Sequence, residues 1–162
     1  MPTMIFSVNG GEWNTAANWN LSTDAGVHRV PLVTDDTTFT GITTAGVSLT
    51  VTTTAIDVKS IDFSTAGATF TFSGSVAVQV RGSLTCKTGM TWSHSGDIKF
   101  TVGTGTFTSN GVLMSAPSMV GMVGGSNITL GSNLNIGTRM FYIYGAATAF
   151  STGAGNYSLD CG

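Results

Sequence analysis

The carboxylates are the residues from which hydrolytic chemistry would have to be built in this sequence. Glycoside hydrolysis needs two carboxyl groups that converge at roughly 5 to 10 Å across a groove. Within a 22-residue periodicity, Asp57 shares its phase with Gln79 and Thr101, so no acidic neighbour is expected one coil away. Asp97 has a different phase and Asp62 lies on another predicted strand. We therefore predict that the protein is not an enzyme and has no catalytic residues.

The basic residues and histidines give no reactive grouping either. His94 shares a phase with Phe72, which favours a buried position at a corner over the role of a general base. Lys59 and Arg81 are predicted to share an outward column one coil apart. Two cations in that arrangement would either contact an anionic partner or extend separately into water.

No metal or cofactor site is expected. The adjacent carboxylates Asp35 and Asp36 are typical of a turn and a solvated loop. Calcium is the alternative, but this ion prefers more oxygen ligands than two carboxylates supply. The cysteines, Cys86 and Cys161, lie too far apart for a zinc motif. Each is predicted to be a small buried apolar residue, with a disulfide as the alternative.

The elements that position these side chains follow from a repeat of apolar residues. One predicted column contains Ile56, Val78, Phe100 and Met122, each 22 residues from the next. Polar residues alternate with the apolar ones, and this alternation places side chains on opposite faces of a strand. A second strand in each coil is indicated by Ile61, Leu84 and Phe107, at a spacing of 23 residues.

A strand that recurs once per 22 residues predicts an all-β protein, a short single-stranded parallel β-helix, or β-solenoid. Residues 47–162 would form about five coils. Glycines recur at predicted corners, at 67, 89 and 111 and again at 74 and 96. The 27 Thr, 17 Ser and 22 Gly of this 162-residue chain suit strands and corners, so almost no helix is expected.

Residues 1–46 lack the repeat and are predicted to form an N-terminal capping module. Trp13 and Trp19 would cover the apolar cross-section of the first coil, which would otherwise remain exposed. The alternative is that the two indoles form a stacking pair for a sugar ring, because aromatic faces are common in glycan sites.

Composition excludes several partners. Only 9% of residues are charged, the formal net charge is -2, and the basic residues are scattered singly, so nucleic-acid binding is not expected. No apolar run is long enough to span a membrane. The N-terminal residues lack the basic and apolar regions of a secretion signal.

The most aromatic predicted strand lies near the C-terminus. If alternation holds across positions 139–144, Phe141 and Ile143 face one way while Tyr142 and Tyr144 face outward. Tyrosine is enriched at interfaces, so Tyr142 and Tyr144 are the best candidates for a contact surface, with a sheltered position under a neighbouring loop as the alternative. The final residues, 156–162, have no cap pattern, and an uncapped end is an open edge that either another chain covers or further sequence continues.

The order Gly-x-Trp, Asn-Trp, Val-Pro and Asp-Asp within residues 11–39, followed by Thr/Gly-rich coils, resembles a group of bacteriophage-encoded β-solenoid proteins. It is also similar, more loosely, to the start of autotransporter-type adhesins. The first resemblance implies a structural virion protein: a capsid decoration, head fibre or tail-fibre module. It also implies assembly in the host cytoplasm, contact with other virion proteins and a homo-oligomer, with a trimer expected.

Two other functions stay open. The chain would be a secreted or surface adhesin if Trp13, Trp19 or the Tyr142/Tyr144 face bound a host surface glycan. It would be a non-catalytic fragment of a phage depolymerase tailspike if catalytic coils followed residue 162.

Overall fold

The computed structural model describes residues 2–145 and 149–160, and in this part of the chain it is almost entirely β-structure. The chain winds through about five turns of a parallel β-solenoid, as the repeat predicts. Helical structure among the described residues is limited to two short 310 turns, Ala16–Asn18 and Phe63–Thr65. No helix in the described ranges is long and apolar enough to cross a bilayer.

Most strands are short and end where the chain turns a corner. In chain order they are β1 (Thr3–Phe6), β2 (Gly11–Glu12), β3 (Trp19–Leu21), β4 (Asp36–Thr38), β5 (Val47–Val51), β6 (Ile56–Val58), β7 (Ser60–Asp62), β8 (Phe70–Gly74), β9 (Val78–Val80), β10 (Leu84–Thr85), β11 (Thr91–Trp92), β12 (Ile98–Thr108), β13 (Met119–Leu130), β14 (Leu134–Asn135), β15 (Met140–Tyr144), β16 (Ala149–Ser151) and β17 (Leu159–Asp160).

Three sets of stacked strands form the sides of the solenoid. Side 1 consists of β6, β9, the first halves of β12 and β13, and β15. Side 2 consists of β4, β7, β10, the second halves of β12 and β13, and β16. Side 3 contains β2, β5, β8 and β11, followed by the separate pair β14 and β17. Each strand on a side therefore shows its outward side chains directly above those of the preceding coil.

The predicted column on side 1 is wrong in one coil. Ile56 pairs with Val78 as expected, but Val78 pairs with Ile98, and Phe100 pairs with Val80. That coil is two residues shorter than the repeat. A shift of two residues leaves every side chain on its original face, so the inward pattern survives although the partners change.

The column on side 2 is confirmed. Ile61 pairs with Leu84, and Leu84 pairs with Phe107. The residues that compensate for the two-residue shortening on side 1 lie at the corner between sides 1 and 2. There, Val102 and Gly103 interrupt the register of β12. Val102 has a φ of 35° and is exposed, so these residues form a bulge rather than part of the core.

The glycine-rich stretch from Gly121 to Gly125 lies within the 12-residue strand β13. The strand continues through the corner between sides 1 and 2, which accommodates the extra length of this coil. One predicted corner glycine, Gly74, has a φ of 134°, and a Cβ there would lie 2.0 Å from the carbonyl oxygen of Val51.

The interior is a continuous column of aromatic rings that begins in residues 1–46. Ring centroids of neighbouring members lie 4.6–5.9 Å apart. The members of this aromatic column are Phe6, Trp13, Trp19, Phe39, Phe63, Phe72 and Trp92. The packing extends without a break from the N-terminal residues into the repeats.

Residues 1–46 also share the sheets of the repeats. Strand β1 pairs in parallel with β4, β4 pairs with β7, and β2 pairs with β5. Strand β3 lies antiparallel to β1 and covers its outer edge. On side 2, this end of the solenoid is therefore covered by an antiparallel strand above a filled aromatic interior. The boundary at residue 46 stays a prediction.

Candidate functional site

Strand β15 carries the largest exposed aromatic surface described in the structure. The rings of Tyr142 and Tyr144 lie outward on side 1, with centroids 5.8 Å apart and planes within 13° of parallel. Their exposed fractions are 39% and 61%. The alternation predicted from the sequence therefore holds for both tyrosines, which present a stacked pair to solvent.

The inward residues of β15 differ in burial. Phe141 packs against Phe150 at 5.0 Å and is half-buried, as predicted for an inward position. Ile143 is 50% exposed although it faces the same way. Met140 shares the outward phase of the tyrosines and is 61% exposed. Among the described residues, β15 pairs only with β13, so no described strand lies beyond Ile143 to cover it.

The strand beside the tyrosine pair carries no charged residue. Tyr142 pairs with Gly121 and Tyr144 with Val123 on this strand. The thioether of Met119 lies next to Gly121, within 3.6 Å of the position that a Cβ would take. An exposed aromatic pair can stack against the apolar face of a sugar or against side chains of another protein.

The two tryptophans are not part of any contact surface. Trp13 and Trp19 are 1% and 0% exposed. The indole Nε1 of Trp19 donates a hydrogen bond of 2.6 Å to the Trp13 carbonyl oxygen, and the two rings lie 4.7 Å apart. The sugar-stacking alternative is therefore wrong for this pair, because neither ring has a free face.

The two outward cations, Lys59 and Arg81, are engaged by carboxylates rather than free. Lys59 Nζ lies 2.8 Å from Asp36 Oδ2, and Arg81 donates two hydrogen bonds to Asp57, of 2.9 and 3.0 Å. Each cation thus reaches back one coil to an acidic residue. Their charges are neutralised locally, and this removes the basis for predicting them as a site for an anionic partner.

Asp35 is buried, so the prediction of a solvated loop is wrong for this residue. Its side chain is 0% exposed and accepts hydrogen bonds from the Arg29 guanidinium and from the Leu32 N–H, the latter at 2.7 Å. Asp36 faces Lys59 and Ser60. No group of three potential metal ligands occurs in residues 2–145 and 149–160.

These partners stabilise the ionised carboxylates. Burial alone would raise the pKa of Asp35, but the Arg29 guanidinium and the Leu32 N–H together hold it below its ordinary value of 3.8. Burial likewise opposes the contacts of Lys59 and Ser60 with Asp36, and the pKa of Asp36 is also lowered. Since the folded pKa values are depressed, the stability they contribute is present at neutral pH and is lost as pH falls below about 3.8.

His94 is enclosed in the core, as its phase predicts. Its ring is stacked 4.9 Å from that of Phe72, its Nε2 lies 2.8 Å from the Val76 carbonyl oxygen, and the residue is 0% exposed. Burial lowers its pKa below the ordinary value of 6.5, and nearby backbone carbonyls of Ser73 and Val76 oppose this only in part. The His94 ring is therefore structural, and its protonation favours the unfolded chain.

Substituting His94 with phenylalanine is expected to remove the loss of stability that begins as pH falls below about 6.5. In the wild type, the unfolded chain binds a proton at His94 at a higher pH than the folded chain does, so stability falls as pH decreases below about 6.5. His94→Phe should show a constant urea midpoint from pH 7 to about pH 5. Equal slopes for both proteins in this range would contradict the assignment.

Glu12 is a structural carboxylate that sequence reasoning missed. It accepts hydrogen bonds from Thr50 Oγ1 at 2.8 Å, Thr52 Oγ1 at 3.0 Å and the Thr52 N–H at 3.1 Å. These contacts outweigh burial and lower its pKa. The threonine partners are about 40 residues away in the sequence. The only signal for this contact was the threonine-rich composition, which makes hydroxyl donors common near any carboxylate.

Cys86 is confirmed as a buried apolar residue. It is 0% exposed, and burial raises the pKa of its thiol to about 12. Such a thiol is almost entirely protonated at neutral pH and is a poor nucleophile. Cys161 lies outside the described residues.

Comparison with known proteins adds no family to this geometry. No protein-family model, no curated protein and no solved structure matches the chain.

Proposed function

We propose that the protein is a structural component of a tailed bacteriophage virion that works by surface contact. The observation that carries the proposal is the exposed aromatic strand in the last described coil of the solenoid. Met140, Tyr142, Ile143 and Tyr144 are between 39% and 61% exposed within a single five-residue strand. A cluster of exposed apolar side chains is more often an interaction surface than a surface that contacts only solvent.

The remaining features support a scaffold that carries this surface. The described carboxylates at positions 12, 35, 36, 57, 62 and 97 each contact a partner within the fold. The interior is filled with aromatic and aliphatic side chains. Low charge, the Gly-x-Trp to Asp-Asp order and the solenoid fold connect this scaffold to virion decorations and fibres.

The virion role is tested by mass spectrometry of particles purified from the phage that encodes this chain. A structural component should be present at a fixed number of copies per particle after density-gradient purification. Its repeated absence from purified particles, with the chain found only in the soluble lysate, would contradict the proposal.

Glycan binding by the Tyr142/Tyr144 pair is the second candidate, and the observation that favours it is the near-parallel exposed stack. A glycan array should compare the wild type with Tyr142→Ala/Tyr144→Ala and with Leu32→Ala, which changes an exposed residue outside β15. Binding that is lost only in the tyrosine variant would favour the adhesin function. No binding by the wild-type chain would remove it.

A further inference from the structure

Two asparagines of the sequence, Asn9 and Asn110, are followed directly by glycine. In such a pair, the backbone nitrogen of the glycine attacks the side-chain amide carbon of the asparagine with little hindrance, because glycine has no side chain. The product is a five-membered imide, which water opens to aspartate or isoaspartate. Both sites have the same dipeptide, so the surroundings that the fold supplies decide which of them reacts.

The amide oxygen of Asn9 is held by two backbone donors. The N–H groups of Thr43 and Thr44 each donate a hydrogen bond of 3.0 Å to Asn9 Oδ1. Negative charge develops on this oxygen when a nucleophile attacks the amide carbon. Two backbone N–H groups directed at one such oxygen form an oxyanion hole, which stabilises the tetrahedral intermediate.

The fold also fixes the residue that attacks. Gly10 has a φ of 94°, and a Cβ there would lie 2.9 Å from the Ser48 carbonyl oxygen, so position 10 requires glycine. Among the described residues, none accepts a hydrogen bond from the Gly10 N–H. The side chains of Asn9, Thr43 and Thr44 are exposed, so a solvent base and water reach the site.

Asn110 has the opposite arrangement. Its amide nitrogen, which is the leaving group, donates a hydrogen bond of 2.8 Å to the Cys86 carbonyl oxygen. Within residues 2–145 and 149–160, no donor to Asn110 Oδ1 is found. Asn110 is also half-buried. The fold therefore restrains the leaving group and does not stabilise negative charge on the amide oxygen.

We propose that Asn9 is a site of self-modification, at which the N–H groups of Thr43 and Thr44 promote imide formation with Gly10. The Gly10 nitrogen forms a bond to Asn9 Cγ and gives up its proton. The Cγ–Nδ2 bond breaks, and the amide nitrogen leaves as ammonia. Water then adds to one of the two imide carbonyls and opens the ring, so water is the only co-reactant.

An aspartate produced at position 9 keeps the contact with the loop that contains Thr43 and Thr44. It retains an oxygen acceptor for both N–H groups, and an ionised acceptor makes stronger hydrogen bonds than an amide does. One further carboxylate changes the formal net charge of the chain from -2 to -3. The reaction is a property of the chain itself and does not depend on the virion role.

Mass spectrometry of the purified full chain tests the proposal. Folded protein is incubated at mildly alkaline pH and then digested with trypsin, whose cleavage after Arg29, Lys99 and Arg139 places the two sites in separate peptides. Asn9 should be converted about 10-fold faster than Asn110, or more. In urea, where neither set of hydrogen bonds is present, the two rates should become similar. A sample digested without incubation corrects for conversion during digestion.

Two substitutions at position 44 separate the backbone donor from the side chain. Thr44→Pro lacks the N–H group and should slow the conversion of Asn9 by about 10-fold or more. Thr44→Val keeps the N–H group and should leave the rate unchanged. Circular dichroism establishes that both variants are folded, and the comparison of Asn9 with Asn110 in the wild type depends on neither variant.

Several results would overturn the proposal. Equal rates at Asn9 and Asn110 in the folded chain would do so, as would faster conversion of Asn110. A rate ratio that stays the same in urea would show that the sequence neighbours set the rate. A folded Thr44→Pro variant that is converted as fast as Thr44→Val would exclude the oxyanion hole.

Discussion

Replacing Asp35 with alanine is expected to lower the free energy of unfolding by about 3 kcal/mol. The substitution removes a fully buried carboxylate and leaves the Arg29 guanidinium and the Leu32 N–H without their acceptor. Arg29 is a third exposed, so water recovers part of its charge, and the effect belongs at the lower end for a broken buried pair. Urea unfolding at pH 7 measures the change.

Asp57→Ala is the matched control for this prediction. Asp57 also accepts two hydrogen bonds from an arginine, Arg81, but both side chains are more than a third exposed. The expected loss is between about 0 and 1 kcal/mol, because solvent screens an exposed ion pair. Equal losses for Asp35→Ala and Asp57→Ala would contradict a structural role for the burial of Asp35.

Replacing Trp19 with alanine is expected to cost about 3–5 kcal/mol, the largest effect of a single substitution considered in the aromatic column. Trp19 is fully buried against Phe6, Trp13 and Phe39, with ring centroids 4.7–5.7 Å away. Its removal leaves a large cavity near the N-terminal end of the solenoid and takes the indole donor from the Trp13 carbonyl. Such a loss is a large fraction of the stability of an ordinary domain.

Tyr144→Ala removes another aromatic ring and serves as the comparison. Because Tyr144 is 61% exposed on the outer face, its loss should change the free energy of unfolding by no more than about 0.5 kcal/mol. Both variants are measured by urea unfolding at a temperature where the Trp19→Ala protein is still folded. A Trp19→Ala loss below about 1 kcal/mol would place this residue outside the energetically important core.

The side facing the core was predictable because alternation and repeat length are local properties of the sequence. Ile61, Leu84 and Phe107 form the predicted column on side 2. Tyr142 and Tyr144 lie outward, as the pattern in residues 139–144 predicts. Both results depend only on the period of two in a strand and on the spacing of equivalent strands.

The exact register on side 1 was not predictable in the same way. Moving the partner of Val78 from Phe100 to Ile98 keeps the same faces inward, so the hydrophobic pattern fits both registers. The choice depends on corner lengths, which a bulge at Val102 and Gly103 adjusts. Apolar periodicity carries no information about that adjustment.

The ion pairs were missed because their partners are far apart in the sequence. Lys59 contacts Asp36, and Arg81 contacts Asp57 one coil earlier. The Lys59 pair also crosses the predicted boundary at residue 46, where the repeat supplies no register. For Trp13 and Trp19 the sequence left two alternatives open, because composition alone does not say whether an indole is covered.

Binding of the purified chain to virions that lack it tests the central claim most directly, namely that the protein acts by contact through its exposed aromatic strand. Particles grown with a stop codon in this gene are mixed with labelled wild-type chain or with the Tyr142→Ala/Tyr144→Ala variant, and bound copies are counted after sedimentation. The account predicts saturation by the wild type at a fixed number of copies per particle, and loss of most binding in the folded variant. Absence of saturable wild-type binding, or undiminished binding by the variant, would contradict it.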